Sequence, residues 1–198
     1  MHAATKLVPV AALFSVMVLS CSTTSQRVDL DSDVLSRDTG INSKDFRTVC
    51  EQMARSIIQI PQIANAASPP RISFVKIRNM TSEPLDKDMF STKIRTLLLK
   101  NSGGKVLFVD RAEGVSNKIE DEREMKRSGE LTASKMGTKS GVDYFLTGDI
   151  SSIDKMDGAQ KATYTIYAFR LTDAETGDII WEDNYEVKKA VRFGIYER

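Results

Sequence analysis

The sequence predicts a single α/β domain, a mixed sheet of about five strands with helices packed on it. Residues 71–110 read as strand, helix, strand, an order that requires a parallel crossover, right-handed by strong precedent. Residues 143–187 then read as three strands parted by two turn signals, Asp157-Gly158 and Glu175-Thr176-Gly177. Two βα units followed by two antiparallel hairpins make a mixed sheet, and the amphipathic stretches between strands supply its cover.

The first helix begins at Ser43, a residue able to cap it. Phe46, Val49, Cys50, Met53, Ala54, Ile57 and Ile58 recur at helical spacing, and Pro61 marks its end. After Pro69-Pro70, Arg71 to Arg78 forms the first strand. Ile72, Phe74 and Lys76 point one way and Val75 and Ile77 the other, so both faces are expected to be partly covered. Asn79 to Leu85 is a loop. Asp86 or Asp88 caps a second helix that runs to about Leu99 on Phe90, Ile94, Leu97 and Leu98, and Gly103-Gly104 stops it.

Lys105 to Asp110 is the second strand; Val106, Leu107, Phe108 and Val109 are nearly continuous and are expected to be buried. A third helix covers Ala112 to about Lys126, and a short fourth runs from Glu130 to about Lys139. Strand three is Asp143 to Ile153, strand four Lys161 to Thr172 and strand five Asp178 to Val187. Arg192 to Arg198 reads as a short extra extension or a frayed end.

Composition excludes several classes of function. A hydrophobic content of 41% against 28% charged residues describes an ordinary globular domain, and a formal charge of +1 argues against nucleic-acid binding. The sole histidine is His2, in the N-terminal leader described below. Its loss with that leader removes Ser-His and Cys-His nucleophiles and the usual histidine-containing zinc sites, so no enzyme, cofactor or metal is expected. Cys50 falls on the apolar helix face and reads as a buried, inert thiol.

Other patterns reduce to structure. Ser102-Gly103-Gly104-Lys105 follows a helix and precedes a strand, the reverse of a phosphate loop, and is a helix stop. The charged run 118–127 is a solvated helix face with pairs such as Glu122–Lys126. Trp181 reads as a core anchor, and Tyr164 and Tyr167 fall on opposite faces of strand four.

The N-terminus carries an address. Lys6 precedes an uncharged run of 13 residues, Leu7 to Leu19, long enough for a secretory signal and too short to span a bilayer. Val18-Leu19-Ser20-Cys21 resembles the bacterial lipobox, which implies removal of residues 1–20 and a mature chain starting at Cys21 with acyl chains, palmitate among them. Several chains, at roughly 0.8 kcal/mol per buried methylene, make an effectively permanent membrane anchor. Ser22 in place of Asp implies the outer membrane by the usual sorting rule. The polar stretch after Cys21, through Asn42, reads as a flexible linker. The 21 residues from Ser22 to Asn42 reach roughly 70 Å fully extended and about 25 Å as a coil.

With these segments placed, Arg71-Ile72-Ser73-Phe74-Val75-Lys76-Ile77-Arg78-Asn79-Met80-Thr81, then Pro84-Leu85-Asp86, resembles the first strand and loop of LpoB-type lipoproteins. So does Lys105 to Arg111, a strand closing in Val109-Asp110-Arg111. Gly141-Val142-Asp143-Tyr144-Phe145-Leu146-Thr147-Gly148-Asp149-Ile150 and Thr176-Gly177-Asp178-Ile179-Ile180-Trp181-Glu182 extend the resemblance over 43–189. It implies a globular domain over 43–198 that binds a docking domain of a bifunctional penicillin-binding protein. It further implies stimulation of that synthase, and so regulation of peptidoglycan synthesis, from an outer-membrane lipid anchor facing the periplasm. Related TolB amino-terminal and CsgG domains share some of these patterns. They imply the alternative of a structural or assembly lipoprotein in a secretion or motility complex. The partner-contacting positions are expected on the polar side of strand three, Thr147, Asp149 and Ser151, which alternate away from Tyr144, Leu146 and Ile150.

Overall fold

The computed structural model describes residues 27–30, 38–131 and 140–193. One five-stranded sheet in the order β2-β1-β3-β4-β5 organises the domain. Its strands are β1 (Arg71–Met80), β2 (Leu107–Phe108), β3 (Tyr144–Asp157), β4 (Gln160–Asp173) and β5 (Ile179–Arg192). The pairs β1–β2 and β1–β3 are parallel, and β3–β4 and β4–β5 antiparallel. The mixed α/β sheet is therefore the one the sequence predicts.

Helix α1 (Ser43–Gln59) buries Val49, Cys50, Met53, Ala54 and Ile57, the predicted face. Its cap is Asn42 rather than Ser43. Asn42 accepts from the Asp45 amide at 2.9 Å, and the Asp45 carboxylate accepts from the Asn42 amide at 3.1 Å. This reciprocal box needs an acid three residues after the cap, which Asn42 has and Ser43, followed by Phe46, lacks. The Ser43 hydroxyl instead donates to the Leu30 carbonyl at 2.6 Å. The helix ends at Gln59 because Ile60, preceding Pro61, is held extended, and Pro61 opens the short α2 (Pro61–Ala64).

Strand β1 departs from simple alternation. A bulge between Phe74 and Lys76 breaks its register with β3, so Ile72 and Ile77 are both buried while Val75 is 60% exposed. The expectation that Val75 and Ile77 share a face fails for that reason. Helix α3 (Lys87–Asn101) starts on Asp86, which accepts from the Asp88 amide at 3.0 Å, and buries Phe90, Ile94 and Leu98. Gly103 and Gly104, at φ 60° and 85°, provide the left-handed exit that other residues resist.

The predicted buried strand 105–110 shrinks to β2, an edge strand of two residues. Val106 is buried, but Leu107 is 43% exposed, because only β1 flanks it. Helix α4 (Glu113–Ser128) has no fully buried residue among those described, and Lys126 pairs with Glu122 at 3.2 Å. Of the expected fourth helix, Glu130 and Leu131 lie in a bend, and 132–139 is outside the described residues. The same holds for Cys21, the signal segment and 194–198.

Helices α1 and α3 pack on one face of the sheet, joined by an edge-to-face contact of Phe46 and Phe90 at 4.7 Å. Beneath them lie Leu146, Ile150, Tyr167, Phe169, Leu171 and Trp181. The Trp181 indole donates to the Ser56 hydroxyl at 2.9 Å, which fixes α1 to β5 and confirms the tryptophan as a core anchor. Burial pushes the Cys50 thiol up to about 12, so it stays protonated and unreactive.

Packing also reaches upstream of α1. Thr39 is 4% exposed and its hydroxyl donates to that of Thr163 at 2.6 Å, the Thr163 proton going to Asp154, and Lys189 donates to the Gly40 carbonyl at 2.6 Å and to Asp45. The body of the domain thus includes 38–42, which the sequence assigns to the linker.

Candidate functional site

Among the described residues no helix covers the middle of the other face of the sheet, where β3 runs. Alternation along β3 buries Leu146, Gly148 and Ile150 under the helices and turns Thr147, Asp149 and Ser151 outward, each half-buried. The three predicted positions therefore stand in one row on the open face, spaced about 7 Å apart. Thr147 sits between Lys76 on β1 and Arg170 on β4, and Ser151 between Met80 and Ile166.

Asp149 is the centre of an ion network that runs across four strands. Arg78, opposite it on β1, donates through Nε to Oδ1 at 2.5 Å and through Nη2 to Oδ2 at 2.7 Å. Arg170 of β4 approaches Oδ2 at 3.4 Å and continues to Glu182 of β5 at 3.7 Å. The Arg78 hydrogen bonds, aided by the charges of both arginines, hold the Asp149 carboxyl below the usual carboxylate range despite partial desolvation. A planar guanidinium meeting a carboxylate in this two-pronged way sets the relative orientation of both side chains.

Sequence reasoning located Asp149 but not Arg78, Arg170 or Glu182. Their roles follow from strand register, which places Arg78 beside Asp149 only because the β1 bulge shifts the pairing by one residue. Apolar side chains flank the network: Phe145 is 37% exposed, Ile153 58% and Met80 54%. Tyr164 lies on this face and Tyr167 on the covered one, as alternation requires. No group of metal-ligating residues occurs among the described residues.

A family model described as the peptidoglycan-synthase activator LpoB matches residues 45–187, from the first turn of α1 into β5. The chain belongs to the LpoB family. Membership supports a peptidoglycan-synthase activator role, which is regulatory. Among solved structures, the chain is similar to the LpoB C-terminal domain from Salmonella enterica, with 18% identity, a TM-score of 0.42, and coverage of 72% of this chain and 98% of that one. It is similar to the same domain from Escherichia coli at 17% identity, a TM-score of 0.39 and the same two coverages. A PelC dodecamer from Paraburkholderia phytofirmans matches at 18% identity and a TM-score of 0.33, over 65% of this chain and 83% of that one. No curated protein matches in sequence.

Proposed function

We propose that this LpoB-family protein is an outer-membrane lipoprotein that binds a bifunctional penicillin-binding protein and stimulates its peptidoglycan synthesis. The family match over the folded domain is the observation that carries the reading. In this reading residues 1–20 are the signal peptide, Cys21 carries the lipid, and the domain faces the periplasm. The open sheet face, with Thr147, Asp149 and Ser151 at its middle, meets the synthase. Three apolar side chains exposed on this face, Phe145, Ile153 and Met80, support that assignment.

Activation follows from differential binding. The face holds the active conformation of the synthase more tightly than the inactive one, and the ratio of the two affinities sets the stimulation. The tether limits where this happens. The first described contact of the chain with the domain is the Leu30 carbonyl, which accepts from Ser43, so the nine residues from Cys21 to Asp29 span at most about 30 Å. A domain held that close to its membrane meets a synthase that itself extends across much of the periplasm.

The experiment is a pull-down of the host's bifunctional synthases with the lipidated protein, followed by glycan polymerisation assays. The reading predicts capture of at least one synthase and faster polymerisation. Failure to bind any of them at micromolar protein and low salt overturns it.

A further inference from the structure

Strand β5 is 14 residues long and lies at the edge of the sheet, with no strand beyond it among the described residues. The Phe193 amide donates to the Ala159 carbonyl at 2.8 Å, continuing the β4–β5 register. Odd-numbered residues of β5 therefore spend their backbone groups on β4, and even-numbered residues turn theirs outward. The Asn184 carbonyl agrees, since it accepts from Gln52 of α1 at 3.5 Å from outside the sheet. An unpaired edge of this length is a template for another strand unless its side chains forbid the pairing.

The charges along this edge are arranged antisymmetrically. Among the even-numbered residues, acids fall in the first half, Glu182 and Glu186, and bases in the second, Lys188 and Arg192. Neither Lys188 nor Arg192 has an ion-pair partner among the described residues. We propose that β5 pairs antiparallel with β5 of a second copy of this chain, about a two-fold axis through Val187. That register sets Glu186 opposite Lys188, Glu182 opposite Arg192 and Asn184 opposite Ala190, each twice. All of these residues have outward backbone groups, as a hydrogen-bonded antiparallel pair needs.

Of the registers centred on β5, this one alone pairs all four charges. Centring on residue 186 opposes two glutamates, and centring on residue 188 opposes two lysines. Charges on an edge strand ordinarily repel a second strand; here they disfavour the two neighbouring registers and favour the one that pairs the most charges. On the axis the half-buried Val187 meets its own copy. The result is one continuous ten-stranded sheet. Its open face carries the network onward, because Glu182, already 3.7 Å from Arg170, gains the second copy's arginine. The Gln52 hydrogen bond gives way to strand pairing. This association concerns the β5 edge and does not depend on which synthase the open face meets.

The test is sedimentation of the lipidated full chain in detergent, with charge-swapped variants. The wild type is expected to dimerise reversibly and to weaken as salt rises. Glu186→Lys alone and Lys188→Glu alone should each raise the dissociation constant about tenfold or more, by placing like charges opposite one another. The double swap, Glu186→Lys with Lys188→Glu, should restore dimerisation, a result that also shows the variants fold. A second reading comes from Val187→Cys, which should form a disulfide-linked dimer on mild oxidation. A wild type that stays monomeric at low salt, or a double swap no better than either single variant, overturns the proposal.

Discussion

Arg78 clasps Asp149 from the neighbouring parallel strand through two hydrogen bonds, of 2.5 and 2.7 Å, on the uncovered face of the sheet. The clasp joins the bulged first strand to the strand that carries the candidate partner-binding row. It also makes this face sensitive to acid. Asp149 is held below the usual carboxylate range in the folded state, so its stabilising effect is complete above the unfolded value, about 4. The contribution is lost as pH falls through the folded value. Thermal melts from neutral pH downwards should show stability falling below about pH 4, and Asp149→Asn should flatten part of that fall. An unchanged profile in the variant would contradict the assignment.

Gly148 sits under Phe169. A methyl group added there would lie 2.6 Å from the ring, closer than real side chains approach. Gly148→Ala should therefore destabilise the domain by about 1–3 kcal/mol, measured by urea denaturation, because the aromatic ring must leave its place in a close-packed core. A variant of wild-type stability would show that the strands yield more readily than this packing implies.

The start of α1 depends on the reciprocal bonds of Asn42 and Asp45. Asn42→Ala should cost about 1 kcal/mol. Ser43→Ala leaves the box intact and should cost clearly less, although the sequence pattern favours Ser43 as the cap. Denaturant midpoints for the two variants decide between the caps.

Lys189 joins the segment before α1 to the end of β5, donating to the Gly40 carbonyl and to Asp45. Lys189→Met should cost about 2 kcal/mol, since it removes a charged donor from partly buried acceptors. It should also release 38–42, seen as faster amide exchange at Thr39 and Gly40. Exchange unchanged at those amides would mean that the Thr39–Thr163 contact and the hydrogen bond from the Ile41 amide to Glu83 hold the segment without Lys189.

These comparisons show what was legible in the sequence. The α1 face and the outward row on β3 were readable because periodicity determines them, and the turns at Asp157-Gly158 and 175–177 because each needs a glycine at positive φ. The bulge after Phe74 was not, since it is defined by pairing with β3 and leaves no mark in the alternation of β1. The apolar run at 106–109 signalled burial, yet its position at the sheet edge left Leu107 exposed. Arg78 and Arg170 lie 71 and 21 positions from Asp149, and no local pattern joins them. The packing of 38–42 likewise rests on Thr163 and Lys189, far along the chain.

The central claim is that the open face around Asp149 engages a peptidoglycan synthase. Thr147→Arg with Ser151→Arg places two bulky charges on that face and leaves the Arg78–Asp149 clasp in place. Glycan polymerisation by the captured synthase should be stimulated by the wild type and not by this variant, with thermal melts showing both folded. Equal stimulation by the two proteins would contradict the account.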